Sequence, residues 1–122
     1  MDRKLIYNAV ANKITEYDSN VYISQRYELI PRSIPCVFVQ QISKVRTRRF
    51  ADLSNTDNQY RLTFEVQVFE KSMAKMYALM ETVENTFKEL SFFEEMCEPI
   101  DNADMSVCRM VARFSAQLGG TI

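Results

Sequence analysis

The stretch YRLTFEVQVF, residues 60–69, decides the fold. Tyr60, Leu62, Phe64, Val66 and Val68 alternate with Arg61, Thr63, Glu65 and Gln67. Successive side chains of a strand point to opposite faces, so this spacing predicts a half-buried strand with one face on a core. Its other face meets water or another chain. Immediately before it, residues 46–59 read RTRRFADLSNTDNQ, with Arg46, Arg48 and Arg49 close together and then a polar run. This predicts a protruding arm over about residues 45–59, tethered to the strand.

Working outward, CVFVQQISKV at residues 36–45 predicts a second strand, placing Cys36, Phe38, Gln40 and Ile42 on one side and Val37, Val39 and Gln41 on the other. Pro31 and Pro35 bracket a bend before it, since each disfavours helix at the preceding residue. VYISQRYELI at residues 21–30 is rich in aromatic and β-branched residues but alternates poorly, which suits a short or edge strand.

Two stretches carry helical spacing. Ile6, Val10 and Ile14 recur every four residues, with Leu5, Ala9 and Tyr17 widening the stripe, over about residues 3–18 with Asp2 as cap. Met73, Met76, Tyr77, Met80, Val83, Phe87 and Leu90 define a second helix that starts after Ser72 and ends near Leu90 or Ser91. Glu84 and Lys88 are spaced for an i,i+4 pair on its polar side. Its methionines fill gaps against a sheet, the common use of such a stripe. Residues 91–107 hold a short strand and a turn around 99–104. A long last strand then alternates Cys108, Met110, Ala112, Phe114, Ala116 and Leu118 with Arg109, Val111, Arg113, Ser115 and Gln117. Gly119 and Gly120 open a frayed or contact-making tail over 119–122.

The resulting order is α-β-β-β-α-β-β. Two helices can cover only one face of such a sheet, so the expected class is α+β, a mainly antiparallel sheet of about four to five strands with two helices packed on it. With 122 residues the chain is expected to form one domain over 1–122, burying about two-thirds of its unfolded surface.

Composition narrows the chemistry. Fifteen basic residues nearly balance sixteen acidic ones, which argues against general attraction to nucleic acid. The chain has no histidine, and its two glycines lie together near the C-terminus, so histidine-based catalysis and glycine-rich phosphate loops are not expected. Cys36, Cys97 and Cys108 lack CxxC spacing and read as buried thiols. No stretch approaches the roughly 20 apolar residues that span a bilayer, and the start does not form a signal-peptide core, so use in a cytosol is expected. Glu94, Glu95, Glu98, Asp101 and Asp104 form an acidic region without the pattern of an ordered calcium loop, read as a solvated edge. No cofactor, metal or catalytic residue is assigned, and an enzyme is not expected.

The phrases IPCVFVQQIS, YRLTFEVQVFEKS, AKMYALMETVENTFKEL and CEPIDNADMSVCRMVARFSAQL, with the long polar arm between the first two, resemble in order and character the tail-terminator (tail-completion) proteins of long-tailed bacteriophages and prophages. The resemblance covers about residues 34–118, and the first helix matches in kind. It implies a small α+β domain that forms a ring, commonly a hexamer, on the finished tail tube, ends tube polymerisation and offers a surface for head-tail joining. The implied partners are other copies of the chain, the tail tube protein, a head-completion or connector protein, and DNA passing through the channel without sequence-specific binding. The implied setting is the virion, at the head-tail joint, with synthesis in the bacterial host cytoplasm.

On this reading the assembly contacts are Arg46, Arg48, Arg49, Phe50, Asp52, Arg61, Glu65 and Gln67. Two other readings stand beside it. One is a head-tail connector or neck protein of the same virion. The other is a small nucleic-acid-binding protein gripping phosphate through Arg46, Arg48 and Arg49.

Overall fold

The computed structural model describes residues 3–28, 31, 33–46, 60–101 and 106–118. The elements, in chain order, are α1 (Arg3–Tyr17), β1 (Tyr22–Ser24), β2 (Cys36–Arg46), β3 (Tyr60–Glu70), α2 (Met73–Glu89), β4 (Phe93–Ile100) and β5 (Cys108–Leu118). The five strands form one mixed sheet in the order β1-β2-β3-β5-β4. All pairings are antiparallel except β1 with β2. The fold is α+β, in the expected element order.

β3 is central and keeps the alternation read from its sequence. Leu62, Phe64, Val66 and Val68 are buried on the helix face of the sheet, where Val37 and Val39 of β2 and Met110, Ala112, Phe114 and Ala116 of β5 join them. α1 adds Ile6, Val10 and Ile14, and α2 adds Met76, Leu79, Met80, Val83 and Phe87. Phe87 stacks on Phe114 with ring centroids 4.3 Å apart, while Phe64 and Phe92 pack around it at 5.9 and 5.2 Å. Apolar burial of this kind is the main favourable contribution to folding.

α2 begins where expected: the Ser72 hydroxyl accepts from the Lys75 N–H at 3.2 Å. At its end the Phe92 N–H donates to the Phe87 carbonyl and the Ser91 N–H to the Lys88 carbonyl. With Ser91 at a φ of 66°, this is a Schellman turn, sealed by the contact of Phe92 with Phe87. α1 closes at Asp18, whose carboxylate accepts from the Asn20 N–H at 2.9 Å. Its expected cap, Asp2, lies outside the described residues.

Several expectations need correction. Leu5 and Tyr17 are 61% and 48% exposed, because α1 seats only the narrow Ile6-Val10-Ile14 line in the core. Met73 and Tyr77 are likewise exposed on α2, and Leu79, which the stripe omitted, is buried. Ile42 does not continue the side of Cys36, Phe38 and Gln40: the β2–β3 register shifts between Gln41 and Ser43, so a bulge resets the alternation. The short strand expected after α2 is an eight-residue edge strand, β4, with its own bulge between Glu94 and Met96. Cys97 and Cys108 are only half-buried, at the rim of the core, while Cys36 is fully buried. The 119–122 tail lies outside the described residues.

The second face of the sheet is covered only in part. The connection from β1 to its parallel neighbour β2 brings Tyr27 and Ile34 against Cys36, Phe38 and Phe69, a small second cluster. Tyr27 and Phe69 each meet the Phe38 ring edge-on, with centroids 5.6 Å apart. Beyond this cluster the outward face is mixed, with polar rows on β3 and β5 and apolar side chains at Val45, Phe93 and Val111.

Candidate functional site

The strand register places the polar side chains of the outward face in rows. Arg61 lies opposite Gln117, Thr63 opposite Ser115, Glu65 opposite Arg113 and Gln67 opposite Val111. On the other side of β3, Gln40 faces Glu65, Ser43 faces Thr63 and Val45 faces Arg61. Of the expected contact residues, Arg61, Glu65 and Gln67 therefore share one surface. Arg46 ends β2 opposite Tyr60. Arg48, Arg49, Phe50 and Asp52 lie outside the described residues.

Two of these residues are already engaged within the subunit. The Arg61 guanidinium donates to Glu95 of β4, reaching across β5. Glu95 is held below the usual carboxylate range, first by a hydrogen bond from Ser115 and then by Arg61. Gln67 accepts from Arg109 through Nη2 at 2.7 Å and Nε at 3.2 Å. The Arg109 guanidinium also sits over the Tyr27 and Phe69 rings, at 5.8 and 5.4 Å from their centroids. Arg109, Arg113 and Glu95 belong to this surface and were not named as contacts from the sequence. The alternation of residues 108–118 had put both arginines on the outward side; only the pairing of β5 with β3 makes them neighbours of Gln67 and Glu65.

The acidic region of the sequence does not gather into one site. Glu94 turns to the helix face, Glu95 to Arg61, and Glu98 lies on the outward side opposite Val111. Asp104 lies outside the described residues. Glu94 instead meets Glu84 of α2 and Cys97, with one ligand atom of each within 4.8 Å of the others. Glu84, expected to pair with Lys88, hydrogen-bonds Glu94, and is pushed up to about 7, first by burial and then by that bond and the charge of Glu94. Burial, followed by the same two carboxylates, raises Cys97 to about 12.

An open groove of about 620 Å³ runs past Met73, Pro99, Ile100, Asp101, Val107, Cys108 and Arg109. Its guanidinium is the one already committed to Gln67, leaving Asp101 as its acidic group. No helix among the described residues is long and apolar enough to cross a membrane. What the described surface offers is an array of paired charges and amides on the sheet, bounded by strand edges.

Known structures with this architecture exist. One is a chain of the virion of a native gene transfer agent particle, with a TM-score of 0.65 and 11% identity over 93% of this chain and 94% of that one. The fold is shared with a virion component. A second is the sheath/tube terminator of an extracellular contractile injection system in its extended state, with a TM-score of 0.54 and 8% identity. That match covers 98% of this chain and 58% of the terminator, so this chain spans somewhat over half of its length. No family model and no curated protein matches the sequence. At these identities the likeness is one of fold.

Proposed function

We propose that the protein is a structural component of a phage-like tail, a terminator that assembles into a ring on the end of the tail tube, stops its polymerisation and provides the surface for joining to the head. The observation that carries this reading is the match of nearly the whole chain to the fold of a sheath/tube terminator. The order of strand and helix phrases in the sequence resembles the tail-terminator proteins of long-tailed phages, which supports the same reading on separate grounds. The likeness to a virion component, end to end in both chains, supports the wider setting.

The role is mechanical rather than catalytic. A ring of identical subunits needs two different patches that fit each other, and the outward face with its two sheet edges supplies distinct surfaces. The further partners are the tube protein, a head-side connector and the DNA that passes through the ring without being read.

The test combines sedimentation with electron microscopy of tail tubes polymerised in the presence of the protein. Tubes of defined length carrying a ring at one end are the expected result. Tubes that lengthen without limit and carry no density at their ends would sink the proposal. Joining of heads without any effect on tube length would favour the connector role.

A further inference from the structure

Among the described residues the sheet leaves two edges open on opposite sides. β1 pairs only with Cys36, Val37 and Phe38, so among the described residues no strand covers β2 on that side over residues 39–46. At the other side β4 has β5 as its only strand neighbour among the described residues. β4 is eight residues long, matching the uncovered part of β2. An open edge presents unpaired N–H and C=O groups to any strand that can approach.

The two edges differ in charge. The β2 edge carries Lys44 and Arg46 with no acidic residue, and β4 carries Glu94, Glu95 and Glu98 with no basic one. Lysine, glutamate and bulges are common guards against indiscriminate edge pairing. Opposite charges on the two edges exclude like from like and leave basic-to-acidic pairing favourable.

Direction and register agree with such a pairing. β2 is antiparallel to β3, β3 to β5 and β5 to β4, so β4 runs opposite to β2. A second copy placed beside the first in the same orientation therefore brings its β2 antiparallel to β4. If Val45 pairs with Phe93, both on the outward face, Lys44 falls opposite Glu94, both on the helix face. The bulges at Ile42 and Glu95 then lie next to each other, and the alternation stays in step beyond them, with Ser43 against Met96 and Gln41 against Cys97. This register also covers two exposed apolar side chains with each other, Phe93 at 71% and Val45 at 55% exposure.

We propose that copies of this chain join head to tail by adding residues 39–46 of β2 of one copy to β4 of the next, with Val45 against Phe93 and Lys44 against Glu94. The contact is heterologous, so repeating it extends the sheet from subunit to subunit and builds a ring where the rotation closes. It deepens the terminator reading, which supplies its setting, but it makes its own prediction about the isolated protein.

Sedimentation of the purified full chain, with circular dichroism and thermal melting as folding controls, tests it. Wild type should sediment as a multi-subunit species. Lys44 also lies over the Tyr60 ring, 4.5 Å from its centroid, and Glu94 is hydrogen-bonded to Glu84. Lys44→Glu and Glu94→Lys should therefore each shift the melting midpoint but keep the wild-type circular dichroism spectrum and a single cooperative melt, and each should dissociate at least tenfold more readily. The double variant, and an equal mixture of the two single variants, should regain the wild-type mass. A wild-type chain that remains a monomer at the highest soluble concentration overturns the proposal, as do single variants that assemble normally or a double variant that does not recover. The terminator reading fails separately: a wild-type ring that assembles through these edges but caps no tube removes that reading alone, whereas capping by a Lys44→Glu chain of wild-type mass removes only the edge contact.

Discussion

At the scale of single residues, Ser91 occupies a backbone position usually taken by glycine. Its φ of 66° closes the Schellman turn after α2, and a side chain in the left-handed region costs about 1 kcal/mol relative to glycine. Ser91→Gly should therefore raise the thermal midpoint by a few degrees, about 1 kcal/mol of added stability for a domain of this size, as read by calorimetry. A lower midpoint would mean that the serine side chain contributes something the backbone does not. Glu84 gives the clearest pH dependence. Its carboxyl titrates at about 7 in the folded chain against an ordinary value of 4.5. Between those values the folded state keeps a proton that the unfolded state releases, so stability from this group falls as pH rises through the window and levels off above it. Glu84→Gln should flatten denaturation midpoints between pH 5 and about 7.5, whereas an unchanged slope would remove Glu84 as its source. Neither feature was legible in the sequence. Nothing near Ser91 announces positive φ, and the spacing of Glu84 suggested Lys88 rather than a carboxylate ten residues on.

At the scale of elements, the apolar packing of α2 contributes far more than an exposed ion pair such as that of Arg61 on β3 with Glu95 on β4. Phe87 is fully buried and touches Phe64, Phe92 and Phe114. Phe87→Ala should cost about 3–5 kcal/mol in chemical denaturation, the range for deleting a buried aromatic ring. Arg61→Ala breaks a bridge whose arginine is about half exposed, and should cost less than about 1 kcal/mol in the same measurement. Comparable losses from the two would contradict this account of the core. β3 and β5 could be read correctly from alternation because each has one face in the core and one outside. β4 could not. It lies at an edge with most of its side chains exposed, so burial imposes no period on its sequence. The bulge in β2 hid for the same reason in reverse: one inserted residue changes the phase without leaving a chemical mark.

At the scale of the whole molecule, the basic stretch at residues 46–49 is the feature that the sequence raises most sharply, and the assembly reading gives it protein carboxylates as partners. Charge reversal at Arg48 should reduce ring formation or tube capping while leaving the melting curve unchanged, measured by sedimentation and by the length of tubes formed in its presence. Normal capping by Arg48→Glu would return the stretch to a solvated loop. The sequence by itself determined the element order, the faces of β3 and β5, the core line of α1 and the start and end of α2, because periodicity and capping act within a dozen residues of chain. Only the tertiary structure decided the strand order, the parallel entry of β1, the meeting of Glu84 with Glu94 and of Arg61 with Glu95, and which strand edges stay open among the described residues. Those depend on pairing between residues far apart in sequence, where many partners satisfy the same local pattern and the burial of one shared core selects among them.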